Sequence, residues 1–250
     1  MVAQTIELPN VRKIFIPDPG YLVVDADLAG ADAQVVAWEA NDEDLKDAFR
    51  KGLKLHIKNA RDVYPELTAT MSDADLKATD RNGGLYYNCK RRVHATNYVG
   101  SAKTIAQTLR TRIAVEEEFQ QRWFELHPGI KEWHRRIDHQ LARNRTVSTK
   151  LGFSRTFFDR VEQLLPEAVA WIPQATVANV CAMGGVRVRK AFPWVEFLLQ
   201  VHDSLVFQIP YHREDSLPQV VKEMHVEVPY SDPLVIPWGI KVSKESWGHC

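Results

Sequence analysis

Two aspartates and one basic, ring-bearing stretch are the residues whose chemistry stands out. Asp27 closes the apolar run Tyr21 to Asp27, and Asp203 sits between the alternating stretches that begin at Glu196 and end at Ile209. Taken singly, each is what a turn or strand end favours in any case. If the fold brings them together, the two carboxylates repel and a divalent cation relieves the repulsion; oxygen ligands of this kind suit a hard metal such as Mg²⁺. Lys90, His94 and Tyr98 form the second group, spaced i, i+4 and i+8, so they follow one helix face with a drift of about 80°. A cation beside two flat polar rings suits a nucleotide, with charge for phosphates and flat surfaces for sugar and base. The same spacing also fits an ordinary amphipathic helix with a satisfied histidine, and His56 by itself reads as structural.

The elements that must position these groups follow from periodicity. Tyr21 to Asp27, after the turn Pro17-Asp18-Pro19-Gly20, is β-branched and reads as a buried strand. Helices are predicted from about Ala31 to Ala40 and Glu43 to Lys51, the second capped by Asn41-Asp42, and over Leu85 to Tyr98. A long helix is predicted from about Lys103 to Leu126, stopping at His127-Pro128-Gly129, and another from Ile130 to about Arg143. Arg145 to Lys150 and Phe153 to Phe158 flank Gly152 as a hairpin. Pro173 marks the first turn of a helix reaching about Met183, because proline is tolerated there and not in a helix interior. Glu196 to Ile209 alternates on either side of His202-Asp203, as two antiparallel strands with a polar tip do.

Composition narrows the class. With 250 residues, 45% of them hydrophobic, the chain can bury a sizeable core. Its apolar stretches, such as Val195 to Val201, are interrupted long before the roughly 20 residues a membrane helix needs, so no membrane span is expected. The N-terminus has no secretion-signal pattern, which places the protein in a cytoplasm, or in the host cytoplasm if its source is viral. Cys89, Cys181 and Cys250 form no Cys-x-x-Cys pair, which indicates reduced thiols rather than a zinc site or disulfides. Lys plus Arg equals Asp plus Glu at 32 each, so any grip on nucleic acid must be local rather than by bulk charge. No repeat or flexible linker divides the chain.

Five segments together resemble the bacterial DNA polymerase I family, family A. Asp27-Leu28-Ala29-Gly30-Ala31-Asp32 resembles its motif A, Asp-x-x-Gln-x-Glu, and Gln200-Val201-His202-Asp203-Ser204-Leu205 its motif C, Gln-Val-His-Asp-Glu-Leu. Lys90, His94, Asn97 and Tyr98 resemble the motif B helix in a phage-like variant. Leu55-His56-Ile57-Lys58-Asn59-Ala60 is similar to the Ile-His-Thr-x-Thr-Ala segment of the fingers, and Ile172-Pro173-Gln174-Ala175-Thr176-Val177-Ala178 to Pro-x-Gln-Gly-Thr-Ala-Ala. All five occur in family order.

The resemblance implies an α+β fold: an antiparallel palm sheet backed by helices, with an inserted helical fingers subdomain. It divides the chain into palm (residues 1–41), fingers (42–126) and palm again (127–250). It further implies template-directed addition of deoxynucleotides from dNTPs to a primer 3′ end, with two Mg²⁺ ions held by Asp27, Asp203 and the Leu28 carbonyl. Lys90 and His56 would contact the triphosphate, with Lys90 also a proton donor to pyrophosphate. His94 and Tyr98 would face the sugar, base and template, Asp32 would screen the ribose 2′-hydroxyl, and Gln174, His202 and Arg155 would touch primer-template DNA. Other readings of the same carboxylates are a non-catalytic DNA-binding remnant and a two-metal phosphodiesterase.

The chain departs from the family pattern at several positions. Gly30 replaces Gln, Asp32 and Ser204 each replace Glu, Val99 and Ala175 each replace Gly, and Tyr86 stands where an Arg is expected unless Arg91 or Arg92 substitutes for it. Val99 is expected to stiffen the end of the motif B helix. The family's thumb and exonuclease-like domain lie upstream of the part matched here. The expectation is therefore a fragment, or one chain of a split polymerase whose partner docks near Thr5 to Ile14 and covers Leu8 and Val11. On its own such a chain would bind DNA weakly and extend primers distributively.

Overall fold

An apolar strand buried on both faces needs a neighbour on each edge, and Tyr21–Leu28 has both. The computed structural model describes residues 9–158 and 164–250. In chain order the elements are β1 (Tyr21–Leu28), α1 (Ala31–Glu39), α2 (Glu43–Arg50), α3 (Leu55–Val63), α4 (Pro65–Thr68), α5 (Asp73–Ala78), α6 (Leu85–Asn97), α7 (Ala102–Leu109), α8 (Ile113–Leu126) and α9 (Pro128–Asn144). Then come β2 (Thr146–Ser148), β3 (Ser154–Thr156), α10 (Leu165–Ala191), β4 (Glu196–Val201), β5 (Ser204–Pro210), α11 (Leu217–Met224), β6 (Glu227–Val228), β7 (Leu234–Val235) and β8 (Trp238–Ser243). The fold is α+β, as expected, and the chain divides into two compact units: Met1–Ala31 with Val177–Cys250, and Asp32–Thr176.

The first unit is built on a four-stranded antiparallel sheet in the order β4-β5-β1-β8. The register sets Asp27 opposite Ser204 on one side and Gly239 on the other. Alternation along β1 sends Leu22, Val24, Ala26 and Leu28 to one face and Val23, Asp25 and Asp27 to the other. Val23, Val206 and Trp247 make an apolar cluster on that second face. The C-terminal half of α10 belongs to this unit. Gly185 stands against Leu205 and Phe197, and Gly184 approaches the Met224 carbonyl so closely that a β-carbon there would lie 2.6 Å from its oxygen.

The second unit is mostly helical. A buried ion pair fastens α6 to α8: Arg92 donates to both Glu116 oxygens at 2.7 Å and to the Tyr64 hydroxyl at 2.9 Å. Asp42 caps α2 by accepting from the Leu45 amide at 3.0 Å, and its other oxygen meets His127 Nδ1 at 3.0 Å. Burial alone would raise the Asp42 pKa, but the His127 and Leu45 hydrogen bonds outweigh it and hold the carboxyl below its usual range.

Three expectations need correction. The long helix over Lys103 to Leu126 is two helices, α7 and α8, because Arg110 adopts a left-handed backbone (φ 56°) and ends the first. Pro173 does not open a helix; it lies inside the 27-residue α10, whose first turn holds Pro166 instead. That same helix is, among the described residues, the one element long and apolar enough to cross a membrane by length and composition, contrary to the expectation that no stretch qualifies. Its buried Val177, Val180, Cys181 and Val188, and the packing of Gly184 and Gly185, account for that apolar content as core.

Candidate functional site

Backbone pairing brings the two aspartates of the first unit to one place. β4 and β5 are joined by the tight turn His202-Asp203, with His202 in the left-handed region (φ 54°). The Leu28 amide donates to the Asp203 carbonyl at 3.0 Å, so the end of β1 is tied to that turn by a main-chain bond. Asp27 and Asp203 therefore line one pocket of about 220 Å³, together with Asp25, Arg12, Lys241 and Trp247 among others.

The electrostatics of that pocket are those of crowded carboxylates. Asp27 keeps solvent access, yet its pKa is raised, first by desolvation in the pocket and then by the charges of Asp203 and Asp25; Lys241 and Arg12 pull the other way. An all-oxygen donor set under mutual repulsion fits a hard divalent cation. Leu28, the expected carbonyl ligand, is fully buried in β1, and His202 is exposed at the turn. Sequence reasoning passed over Asp25, Arg12, Lys241 and Trp247. For Asp25 the signal was available, because strand alternation alone places it on the same face as Asp27.

In the second unit the motif B residues stand as spaced. Lys90 and His94 project from α6, while Tyr98 is its C-terminal cap. The Tyr98 hydroxyl donates to Asp32 Oδ2 at 3.0 Å, and its ring meets that of His94 edge-on at 4.6 Å. Burial and the Asp32 charge both push the Tyr98 phenol up. The His94 ring is desolvated where it meets its neighbours although the residue as a whole is exposed, and its pKa is lowered, chiefly by that burial. His56 lies in the first turn of α3 with its ring edge-on to Tyr86 at 6.1 Å; burial lowers its pKa, and the Lys90 charge adds to the effect.

Gln174 is exposed on α10, and Arg155 is exposed on β3, where it pairs with Glu167 and stacks over Phe157 at 4.6 Å. Of the two arginines that might replace the missing one at Tyr86, Arg92 is consumed by buried Glu116. Arg91 stays exposed over the Tyr87 ring at 4.7 Å. Val99, the residue after Tyr98, has φ 61°, a left-handed conformation that a β-branched residue rarely adopts. The Asp42, Asp44 and His127 group also has metal-ligand geometry among the described residues. It is a clasp whose members already serve α2, each other and Lys58.

The family model for DNA polymerase family A matches residues 2–248, and the chain belongs to that family. It is 28% identical over 231 residues to DNA polymerase I of Geobacillus stearothermophilus, which covers 86% of this chain and 25% of that protein. It is 24% identical over 250 residues to the DNA polymerase of Mycobacterium phage D29, covering 98% of this chain and 38% of the phage protein. The chain thus spans about a quarter of the length of the bacterial relative and under half of the phage one. Among solved structures it is similar to the POL domain of Pol1 from M. smegmatis in complex with DNA primer-template and dNTP, with a TM-score of 0.81 at 21% identity over 96% of this chain and 42% of that one.

Proposed function

We propose that this chain is the palm and fingers core of a template-directed DNA polymerase, adding deoxynucleotides from dNTPs to a primer 3′ end. The observation that carries this reading is the register that sets Asp27 beside the Asp203 turn in one pocket. Asp27 and Asp203, with the Leu28 carbonyl, would hold two Mg²⁺ ions. When bound, these lower the pKa of an attacking hydroxyl and neutralise charge on a leaving pyrophosphate. Lys90 and His56 would bind the triphosphate. His94 and Tyr98 would orient the sugar and base. Asp32, which accepts from the Tyr98 hydroxyl, would screen the ribose 2′-hydroxyl, and Gln174, His202 and Arg155 would contact primer-template. Within this reading residues 1–41 and 127–250 serve as palm and 42–126 as fingers.

A partner polypeptide or further chain carrying a thumb would complete the duplex grip. Val11 and Ile14 support this, being 68% and 74% exposed; Thr5 to Leu8, the rest of the expected docking segment, lie outside the described residues. The replacement of an expected arginine by Tyr86, with Arg92 buried, favours a second reading, a DNA-binding remnant without turnover. Primer extension, exonuclease release and DNA binding, each with Mg²⁺ and with EDTA, separate the readings. Mg²⁺-dependent extension is expected; DNA binding without it would overturn the polymerase reading.

A further inference from the structure

The sheet unit contains a buried charge that its packing does not require. Asp25 is 7% exposed, with apolar Val23, Val206 and Trp247 packed on its face of the sheet and Lys241 as its cross-strand partner on β8. A valine at position 25 would extend that cluster at no desolvation cost, whereas a buried carboxylate is costly unless it is fully hydrogen-bonded. It is so bonded: Ser204 Oγ donates to Oδ1 at 2.5 Å and Trp247 Nε1 to Oδ2 at 2.9 Å, with Arg12 Nη1 at 4.0 Å. Ser204 is also the position where the family pattern calls for a glutamate. The register sets Ser204 opposite Asp27 and Val206 opposite Asp25, which makes Ser204 and Asp25 diagonal neighbours across β1 and β5, within side-chain reach.

We propose that Asp25 and Ser204 are an exchanged pair: the acidic group that the family pattern places after Asp203 is supplied here from the neighbouring strand, by Asp25. This rests on the reading of Asp27 and Asp203 as a Mg²⁺ site. With the exchange, three carboxylates line the pocket: Asp25, Asp27 and Asp203. Because both Asp25 oxygens are already engaged by Ser204 and Trp247, it acts as a positioning residue. Its charge favours a cation at Asp27, and its bond to Ser204 fixes the residue that follows Asp203. Trp247, near the C-terminus, completes the support from the far side, so the last residues of the chain contribute to the order of the carboxylates.

The test is Mn²⁺ binding to the full chain, read by electron paramagnetic resonance, alongside thermal melting. Wild type is expected to bind Mn²⁺ at a site lost in Asp27→Asn. Asp25→Asn keeps the shape and removes the charge. It is expected to weaken that site about tenfold, the usual scale for a group supporting a metal ligand, while its melting curve overlays that of wild type. Asp25→Ser and Ser204→Glu should each weaken binding, and the double variant Asp25→Ser/Ser204→Glu should restore it to within about threefold. Wild-type affinity in Asp25→Asn would overturn the proposal, as would a double variant no tighter than Asp25→Ser. Should Asp25→Asn fail to fold, the double variant alone decides. Absence of any Asp27-dependent Mn²⁺ site in wild type would overturn the metal reading itself, and the exchange with it.

Discussion

The sheet unit and the helical unit hold their proposed functional groups by different means. In the sheet, Asp27 and Asp203 are placed by main-chain hydrogen bonds: a register on both edges of β1 and the Leu28 amide on the Asp203 carbonyl. In the helical unit, Lys90, His94 and Tyr98 depend on a single helix that is followed by a left-handed valine and is fastened through side chains: the buried Arg92–Glu116 pair and the Trp123 and His134 bonds to Asn97. Side-chain substitution can remove the charge of the first group but hardly its geometry. In the second, geometry itself is open to substitution.

The largest effect expected from that contrast is on chemistry alone. Asp27→Asn or Asp203→Asn should lower nucleotide addition by at least about a thousandfold, because an amide keeps the shape and loses the charge that would hold Mg²⁺ under the proposed function. Circular dichroism and melting should stay as in wild type, and a loss of fold would mean that the carboxylates are structural. Glu116→Ala tests the other unit. It leaves Arg92 buried and unpaired, so it should cost about 3–5 kcal/mol of stability by denaturant titration. A cost under about 1 kcal/mol would show that α6 is held by something else.

Asp32→Glu should improve discrimination against ribonucleotides, by up to roughly tenfold in the ratio of incorporation efficiencies, since one methylene in a binding pocket is worth about that much. An unchanged ratio would remove Asp32 from that role. Val99→Gly should be stabilising by up to about 1 kcal/mol in a melting experiment, since glycine accepts φ 61° without steric cost, and a clear loss would mean that the valine side chain contributes more than its backbone costs.

The smallest effect is on pH dependence. Burial lowers the pKa of His134, which donates to the Asn97 carbonyl at 2.8 Å, and it also lowers the pKa of His56 and His94. Histidines whose folded pKa is depressed bind fewer protons folded than unfolded. Their contribution is complete above the unfolded value of about 6.5 and is lost as pH falls below it. Stability should decline as pH falls below about 6.5, and His134→Gln should flatten that decline.

Much of this was readable in the sequence where local rules act alone. The β1 strand, the hairpin about Asp203 and the helix carrying Lys90 each followed from periodicity and turn chemistry, and their motifs gave the family. The break between α7 and α8 was not legible, because the left-handed residue that ends α7 is Arg110, with no glycine or proline nearby to signal it. Pro173 misled because a long helix with a buried face can tolerate the lost hydrogen bond that would end a short one. Strand alternation puts Asp25 on the face of Asp27, but its diagonal contact to Ser204, 179 positions away, is something no local pattern reports.

The single amide bond from Leu28 to Asp203 joins motifs that are far apart in the chain, and it belongs to the edge of a ladder rather than to any side chain. If the two carboxylates hold a metal as proposed, competence to bind it would depend on fraying: opening of the end of β1 would part them together, and conditions that loosen that end while leaving the core intact would lower activity without any sign of unfolding.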